Sequence, residues 1–300
     1  MKLSYIKQVS LLLRVLPEVL KIESFALHGG TAINLFHHNM PRLSVDIDIT
    51  YLPCGNRAAD LENIQLCLIE ISKRLSKIIP GIVVSPPSLQ KEEYKLFCQL
   101  GDSLIKVEVN TINRGIIAPV ELLPLSIVAQ DTFNQFVEAR IVPKSQLFGG
   151  KVVAALDRQH PRDIFDMHQF LSNKGQLIEI KKGVLFCLLS SNRPIHELLT
   201  PNYLDQNKAF VNQFEGMTDS PFTYTEFEET RFLLVDEVKN MFSDQDKSFL
   251  LDFMLGNIEL TNYPFLNYPA INWKRENLDL LRSNNPEKFN KLIQQTELLF

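Results

Sequence analysis

The sequence predicts an α+β fold: a small mixed sheet flanked by helices, followed by a mainly helical second half. Three observations predict it. Apolar and polar residues alternate at Val45-Asp46-Ile47-Asp48-Ile49 and at Ile105-Lys106-Val107-Glu108-Val109, the period-two pattern of a half-buried strand. Between these runs Leu61, Ile64, Leu68, Ile71 and Leu75 recur at helical spacing. Beyond residue 174 helical spacing continues in interrupted stretches and alternation becomes scarce. We place the division at residues 1–143 and 144–300, near Pro143.

In order along the chain, Ile6, Val9, Leu12, Leu13, Leu16 and Leu20 predict a helix over 3–21, which Pro17 should bend or end early. Phe25-Ala26-Leu27 enters a turn at Gly29-Gly30-Thr31, and 31–36 opens a second helix. The Asp-bearing strand covers 43–51, and Pro53, Gly55 and Asn56 break the chain after it. A helix over 57–79 ends at Pro80-Gly81, a strand follows at 82–84, and Pro86-Pro87 marks a loop. Strands are expected at 95–99 and 103–111, with weaker ones near 116–123 and 136–142. A helix over 144–158 follows, and Pro161, with His160 as cap, starts the next. Further helices are expected near 176–190, 193–200, 205–213, 223–241, 245–255 and 274–298.

Composition sets bounds. Hydrophobic content of 45 % is that of an ordinary globular chain. A net charge of −4 announces no nucleic-acid binder, so any such contact must be local. Cys54, Cys67, Cys98 and Cys187 are scattered without a Cys-x-x-Cys and read as free buried thiols of a reducing compartment. The amphipathic opening residues carry no signal-peptide core, and no run approaches ~18 apolar residues. A cytoplasmic protein without membrane contact is expected.

The chemistry-bearing residues lie mainly in the first half. Asp46 and Asp48 share a strand face, with Cα atoms about 6–7 Å apart. Paired carboxylates can be merely solvated, or can hold a hard divalent cation. Gly29-Gly30-Thr31 can be an ordinary tight turn, or one whose backbone N–H groups and Thr31 hydroxyl hold phosphate. Arg42 and Ser44 flank the strand, and Ser44 shares the parity of the two Asp. Glu108 becomes a third carboxylate at the site if its strand lies beside 43–51. Lys106 is either solvated or paired with a carboxylate there. Lys144, Lys151 and Arg158 recur every seven residues and share a helix face. No angle can be carried across Pro161 to Arg162, Asp163 and Asp166. The six His show no zinc spacing, and Trp273 reads as a core or interface aromatic.

These motifs together resemble the nucleotidyltransferase superfamily, in which a Gly-Gly or Gly-Ser turn precedes an Asp-x-Asp strand. They are most similar to the AbiEii-type toxins of type IV toxin–antitoxin systems, which include the MenT toxins. The resemblance runs through Leu27-His28-Gly29-Gly30-Thr31-Ala32, Arg42-x-Ser44-x-Asp46-Ile47-Asp48, Lys106-Val107-Glu108-Val109 and Lys151-x-x-Ala154-Ala155-Leu156-x-Arg158 into Arg162-Asp163-x-x-Asp166. A weaker echo is Pro269-Ala270 with Trp273-Lys274 and Asn277-Leu278.

The resemblance implies a nucleotidyltransferase-like sheet in 1–143, with 144–300 contributing Lys and Asp motifs to the active-site cleft. It implies transfer of a nucleoside monophosphate from an NTP to an acceptor such as the tRNA 3′ end, with a cognate AbiEi-type antitoxin as partner. Two Mg²⁺ ions, for which Mn²⁺ could substitute, would be held by Asp46, Asp48 and Glu108. The catalytic set is Asp46, Asp48, Glu108, Lys151 and Asp163. The nucleotide-binding set is Gly29, Gly30, Thr31, Arg42, Ser44, Lys151 and Arg158. Two alternatives remain open: a transferase acting on a small molecule or protein, and a nucleotide-binding protein without turnover.

Overall fold

A computed structural model of the protein describes residues 1–85, 93–173, 176–257 and 264–300. The Pro86-Pro87 loop expected from sequence lies outside the described residues. The chain divides into two compact units, Met1–Leu147 with Phe214–Pro221, and Phe148–Gln213 with Phe222–Phe300.

The first unit opens with α1 (Leu3–Leu20). Pro17 does not end this helix, which runs on to Leu20, and the carbonyl of Pro17 still accepts the N–H of Lys21. β1 (Phe25–His28) leads into α2 (Gly29–Ala32), which widens into a π turn over Ile33–His37. β2 (Asp46–Tyr51) follows, then α3 (Arg57–Ile78), whose first N–H groups are capped by the Asn56 side chain. β3 (Val83–Ser85), β4 (Lys95–Leu100) and β5 (Ser103–Asn110) come next. After β6 (Glu121–Pro124), a short helix that alternation did not reveal, α4 (Ile127–Phe133), precedes β7 (Glu138–Ile141).

The strands form one mixed sheet in the order β3-β4-β5-β2-β1-β7-β6. β2 runs antiparallel to β1 and parallel to β5. The crossover from β2 to β5 carries α3, as a parallel pairing requires. Alternation sorts the side chains: Ile47, Ile49, Ile105, Val107 and Val109 are buried. Val9, Leu12, Leu13 and Leu16 of α1 and Ile64, Leu68, Ile71 and Leu75 of α3 are buried with them, and α1 packs across β5, β7, β1 and β2. The segment Phe214–Pro221 returns to this unit by backbone bonds. Leu43 donates its N–H to Met217, Lys2 donates its N–H to Gly216, and the Thr218 hydroxyl donates to the Pro41 carbonyl.

Helix α5 (Lys144–Arg158) leads into the second unit. That unit contains α6 (Pro161–Ser172), α7 (Leu177–Ser190), α8 (Ile195–Leu199), α9 (Asn207–Gln213), α10 (Tyr224–Asn240), α11 (Asp244–Leu255), α12 (Pro269–Asn284) and α13 (Pro286–Glu297). The single helix expected over 274–298 is two. Pro286 lacks an N–H and fixes its φ, and the Asn285 side chain caps the new start at the Lys288 N–H. α5 and α7 approach so closely at Gly149 and Gly183 that a Cβ on Gly149 would strike the Gly183 carbonyl group. Trp273 is 55 % exposed, not a core residue. Cys98 and Cys187 are buried thiols, and burial pushes both up to about 12. Cys67 is half-buried and Cys54 is exposed, against the expectation for all four. Among the described residues no helix is long and apolar enough to cross a membrane.

Candidate active site

The parallel register sets Asp46 beside Lys106 and Asp48 beside Glu108. On the other side of β2, His28 is the register partner of Asp48. Register partners share a face and the side-chain period is two, so Asp46, Asp48, Lys106, Glu108 and His28 lie together on one face of the sheet. All five are half-buried. This is the juxtaposition on which the sequence reading of Glu108 depended.

Lys106 stands among the carboxylates. Its Nζ lies 2.5 Å from Glu108 Oε2. Burial works against the charged ammonium, but Glu108, and then Asp46 and Asp48, outweigh it and raise the Lys106 pKa. One cation is therefore within Coulomb reach of all three acids. Among the described residues no three His, Cys, Asp or Glu side chains stand as a ready-made metal cluster. The donors whose chemistry suits a hard divalent ion are the oxygens of Asp46, Asp48 and Glu108, and here Lys106 supplies the positive charge between them.

The glycine turn closes onto these acids. Gly29 has φ +72°, a conformation that a Cβ disfavours, and a Cβ there would also run into the Asp48 carboxylate. Gly30 is restricted differently: a Cβ would lie 2.9 Å from an Arg42 guanidinium nitrogen and 3.0 Å from Ser44 Oγ. The Asn34 amide donates to the Gly30 carbonyl at 2.9 Å.

Three expected ligand contacts are supports of the turn in this structure. Thr31 is fully buried, and its hydroxyl donates to the Asp46 carbonyl at 2.5 Å while lying 3.0 Å from Ser44 Oγ. Arg42 is 2 % exposed and donates to the Leu43 carbonyl at 2.9 Å. Ser44 is 7 % exposed. Together they stitch the turn to the start of β2. The backbone of Gly29 and Gly30 and the carboxylates beyond it are half-buried.

In the second unit Lys151 is buried. Its Nζ lies 2.7 Å from Asp163 Oδ1 and 3.0 Å from Asp166 Oδ2. Arg158, with an exposed side chain, reaches Asp163 Oδ2 with its Nε at 2.6 Å. Burial alone would raise the Asp163 carboxyl. The Lys151 ammonium and the Arg158 guanidinium overcome it and hold that carboxyl well below the usual carboxylate range. The seven-residue recurrence of Lys144, Lys151 and Arg158 is therefore no uniform solvated stripe. Asp166, absent from the expected catalytic set, is a full partner of Lys151. The i,i+3 spacing of Asp163 and Asp166 was the available signal, and the break at Pro161 hid what they face.

A model of the family described as nucleotidyl transferase AbiEii toxin, type IV TA system, matches residues 10–277. Comparison with curated proteins finds no match. Among solved structures the fold is similar to that of MenT4, a nucleotidyltransferase toxin from Mycobacterium tuberculosis H37Rv. The TM-score is 0.63 and the identity 12 %, over 91 % of this chain and 94 % of that one.

Proposed function

Because this chain belongs to the AbiEii nucleotidyltransferase toxin family, we propose that it transfers a nucleoside monophosphate from an NTP to the 3′ end of tRNA, restrained by a cognate AbiEi-type antitoxin. The observation that carries the reading is the face shared by Asp46, Asp48 and Glu108 beneath a Gly29-Gly30 turn folded onto Asp48. In the transfer, an acceptor hydroxyl oxygen bonds to the α-phosphorus of the NTP. The bond from that phosphorus to the bridging oxygen breaks, and pyrophosphate leaves with the electron pair. Nucleotidyltransferases of this kind generally use divalent metals, which activate the acceptor oxygen and offset phosphate charge. Asp46, Asp48 and Glu108 would hold two Mg²⁺ here, with Mn²⁺ able to substitute.

The chain's own groups supply the rest. Backbone N–H groups at Gly29 and Gly30 bind phosphate oxygens. Arg42, Ser44 and Thr31 fix that turn against β2. Glu108, released from Lys106, holds metal or takes the acceptor proton. Within the second unit, Asp163 is bonded to both Lys151 and Arg158 and is assigned to fixing the positions of these two cations.

The test incubates the purified protein with Mg²⁺, total tRNA and each labelled NTP in turn. We expect RNase-sensitive label from at least one NTP, lost by at least ~10³-fold in Asp46→Ala and Asp48→Ala, about 4 kcal/mol of transition-state stabilisation. Label that survives RNase and sits on protein or a small molecule would overturn the tRNA assignment. Equal growth impairment by wild type and both variants would overturn catalysis itself.

A further inference from the structure

The second unit holds a cavity that the transferase chemistry does not use. It has a volume of about 340 Å³ and is lined by Trp273, Lys274, Asn277, Leu281 and Leu292, with Asn192 at its edge. That is near the lower end of the ~300–1,000 Å³ typical of ligand pockets. The lining is mainly apolar, and a single charged side chain faces it. All four residues of the Trp273-Lys274 and Asn277-Leu278 echo, which the proposed function leaves without a role, line it.

Lys274 is placed unusually. Its ammonium donates to the carbonyl of Leu188, in the last turn of α7, at 3.0 Å and to the carbonyl of Arg193 at 3.2 Å. A cation at a helix C-terminus is favourable. Those bonds use two of the three N–H donors. No carboxylate among the described residues pairs with it, and burial pushes the ammonium down to about 7. Anchoring α7 accounts for the two bonds. It accounts for neither the open cavity that Lys274 lines nor the indole of Trp273, 55 % exposed at the cavity wall.

We propose that this cavity binds a small molecule bearing one anionic group on a flat apolar body, the anion meeting the third N–H of Lys274 and the body lying against the Trp273 indole and Leu292. The anion supplies the countercharge that Lys274 lacks, and the rings of body and indole offer each other large apolar faces. The site is independent of nucleotidyl transfer: none of its lining residues is a proposed catalytic group, and its test reads binding alone.

Trp273 is the only tryptophan in the chain, so energy transfer from it reports probe binding from a single donor, and the cavity variants locate that binding. The probes are 1-anilinonaphthalene-8-sulfonate and its uncharged parent, N-phenyl-1-naphthylamine, titrated into the intact protein. We expect saturable one-site transfer from Trp273 to the sulfonate, with the uncharged parent at least tenfold weaker. Lys274→Met should erase that preference, and Leu292→Phe, which fills the cavity and leaves Lys274 in place, should weaken both probes. Equal affinity for the two probes in the wild type, or transfer unchanged in Leu292→Phe, overturns the proposal, and neither depends on the Lys274 variant folding.

Discussion

Lys106 and Lys151 each stand among acidic side chains, and water separates their two settings. Around Lys106 the acids Asp46, Asp48 and Glu108 are all half-buried on a sheet face. Around Lys151, Asp163 and Asp166 are each 1 % exposed and the lysine itself 7 %. In the first cluster a competing cation can displace the ammonium at modest cost, because solvent screens what is left. In the second no ion can be exchanged without leaving a charge dry. An open cluster suits a site that must take up and release metal and nucleotide. A closed one suits a fixed charge that must hold its position.

The largest effect should come from the closed cluster. Lys151→Met leaves Asp163 and Asp166 buried without the ammonium they share, while the exposed Arg158 still pairs with Asp163. The loss should be about 3–5 kcal/mol, the usual cost of removing one member of a buried ionic set, read as a drop in the urea midpoint at neutral pH. The pH dependence gives the sign. In the wild type the Asp163 carboxyl is held below its ordinary 3.8, so its contribution is complete above that value and fades as pH falls below it. In the variant, burial acts without Lys151 and raises these carboxyls, which destabilises at higher pH. The gap between variant and wild type should therefore be widest above about pH 5 and narrow towards pH 3. A gap that stays constant with pH would mean that the lysine acts by packing alone.

Next comes the turn over the open cluster. Gly29→Ala imposes a Cβ on a φ of +72° and on the Asp48 carboxylate. A stability loss of about 1–3 kcal/mol is expected from strain and overpacking, with labelling activity reduced further because Asp48 must move. Ala at Gly30 meets only the ends of the Arg42 and Ser44 side chains and should cost less in both measurements. The reverse order would show that the turn is anchored through Arg42, not shaped around Asp48.

The same contrast explains what could be read from residue order. Asp46 and Asp48 were legible because alternation is local and fixes their face. The strand carrying Glu108 was equally legible, but its place beside β2 was not, because a parallel pairing across α3 leaves no mark in residue order. Thr31 and Arg42 were found by motif, yet their burial was not legible, and neither was the return of 214–221, which pins residues 41–43 through Pro41 and Leu43. The Lys151 cluster forms across Pro161, where helical periodicity stops and no rule carries a direction onward. The split at Pro286 was open to reading in the sequence, since an internal proline there starts a helix more readily than it continues one.

The smallest effect on stability, and the sharpest test of the comparison, belongs to Lys106. Lys106→Met removes the cation from the open cluster as Lys151→Met removes it from the closed one. Here water replaces the lost partner, so the stability change should stay below about 1 kcal/mol. What should change is competition. Without the ammonium on Glu108, and without its charge near Asp46 and Asp48, a divalent ion meets less competition at the three carboxylates. The Mg²⁺ concentration for half-maximal labelling should then fall several-fold relative to wild type, and the fall should shrink at high salt as screening takes over the role of the lysine. A rise in that concentration would show that Lys106 orders the carboxylates for the metal rather than competing with it, and the open cluster would then resemble the closed one in all but exposure.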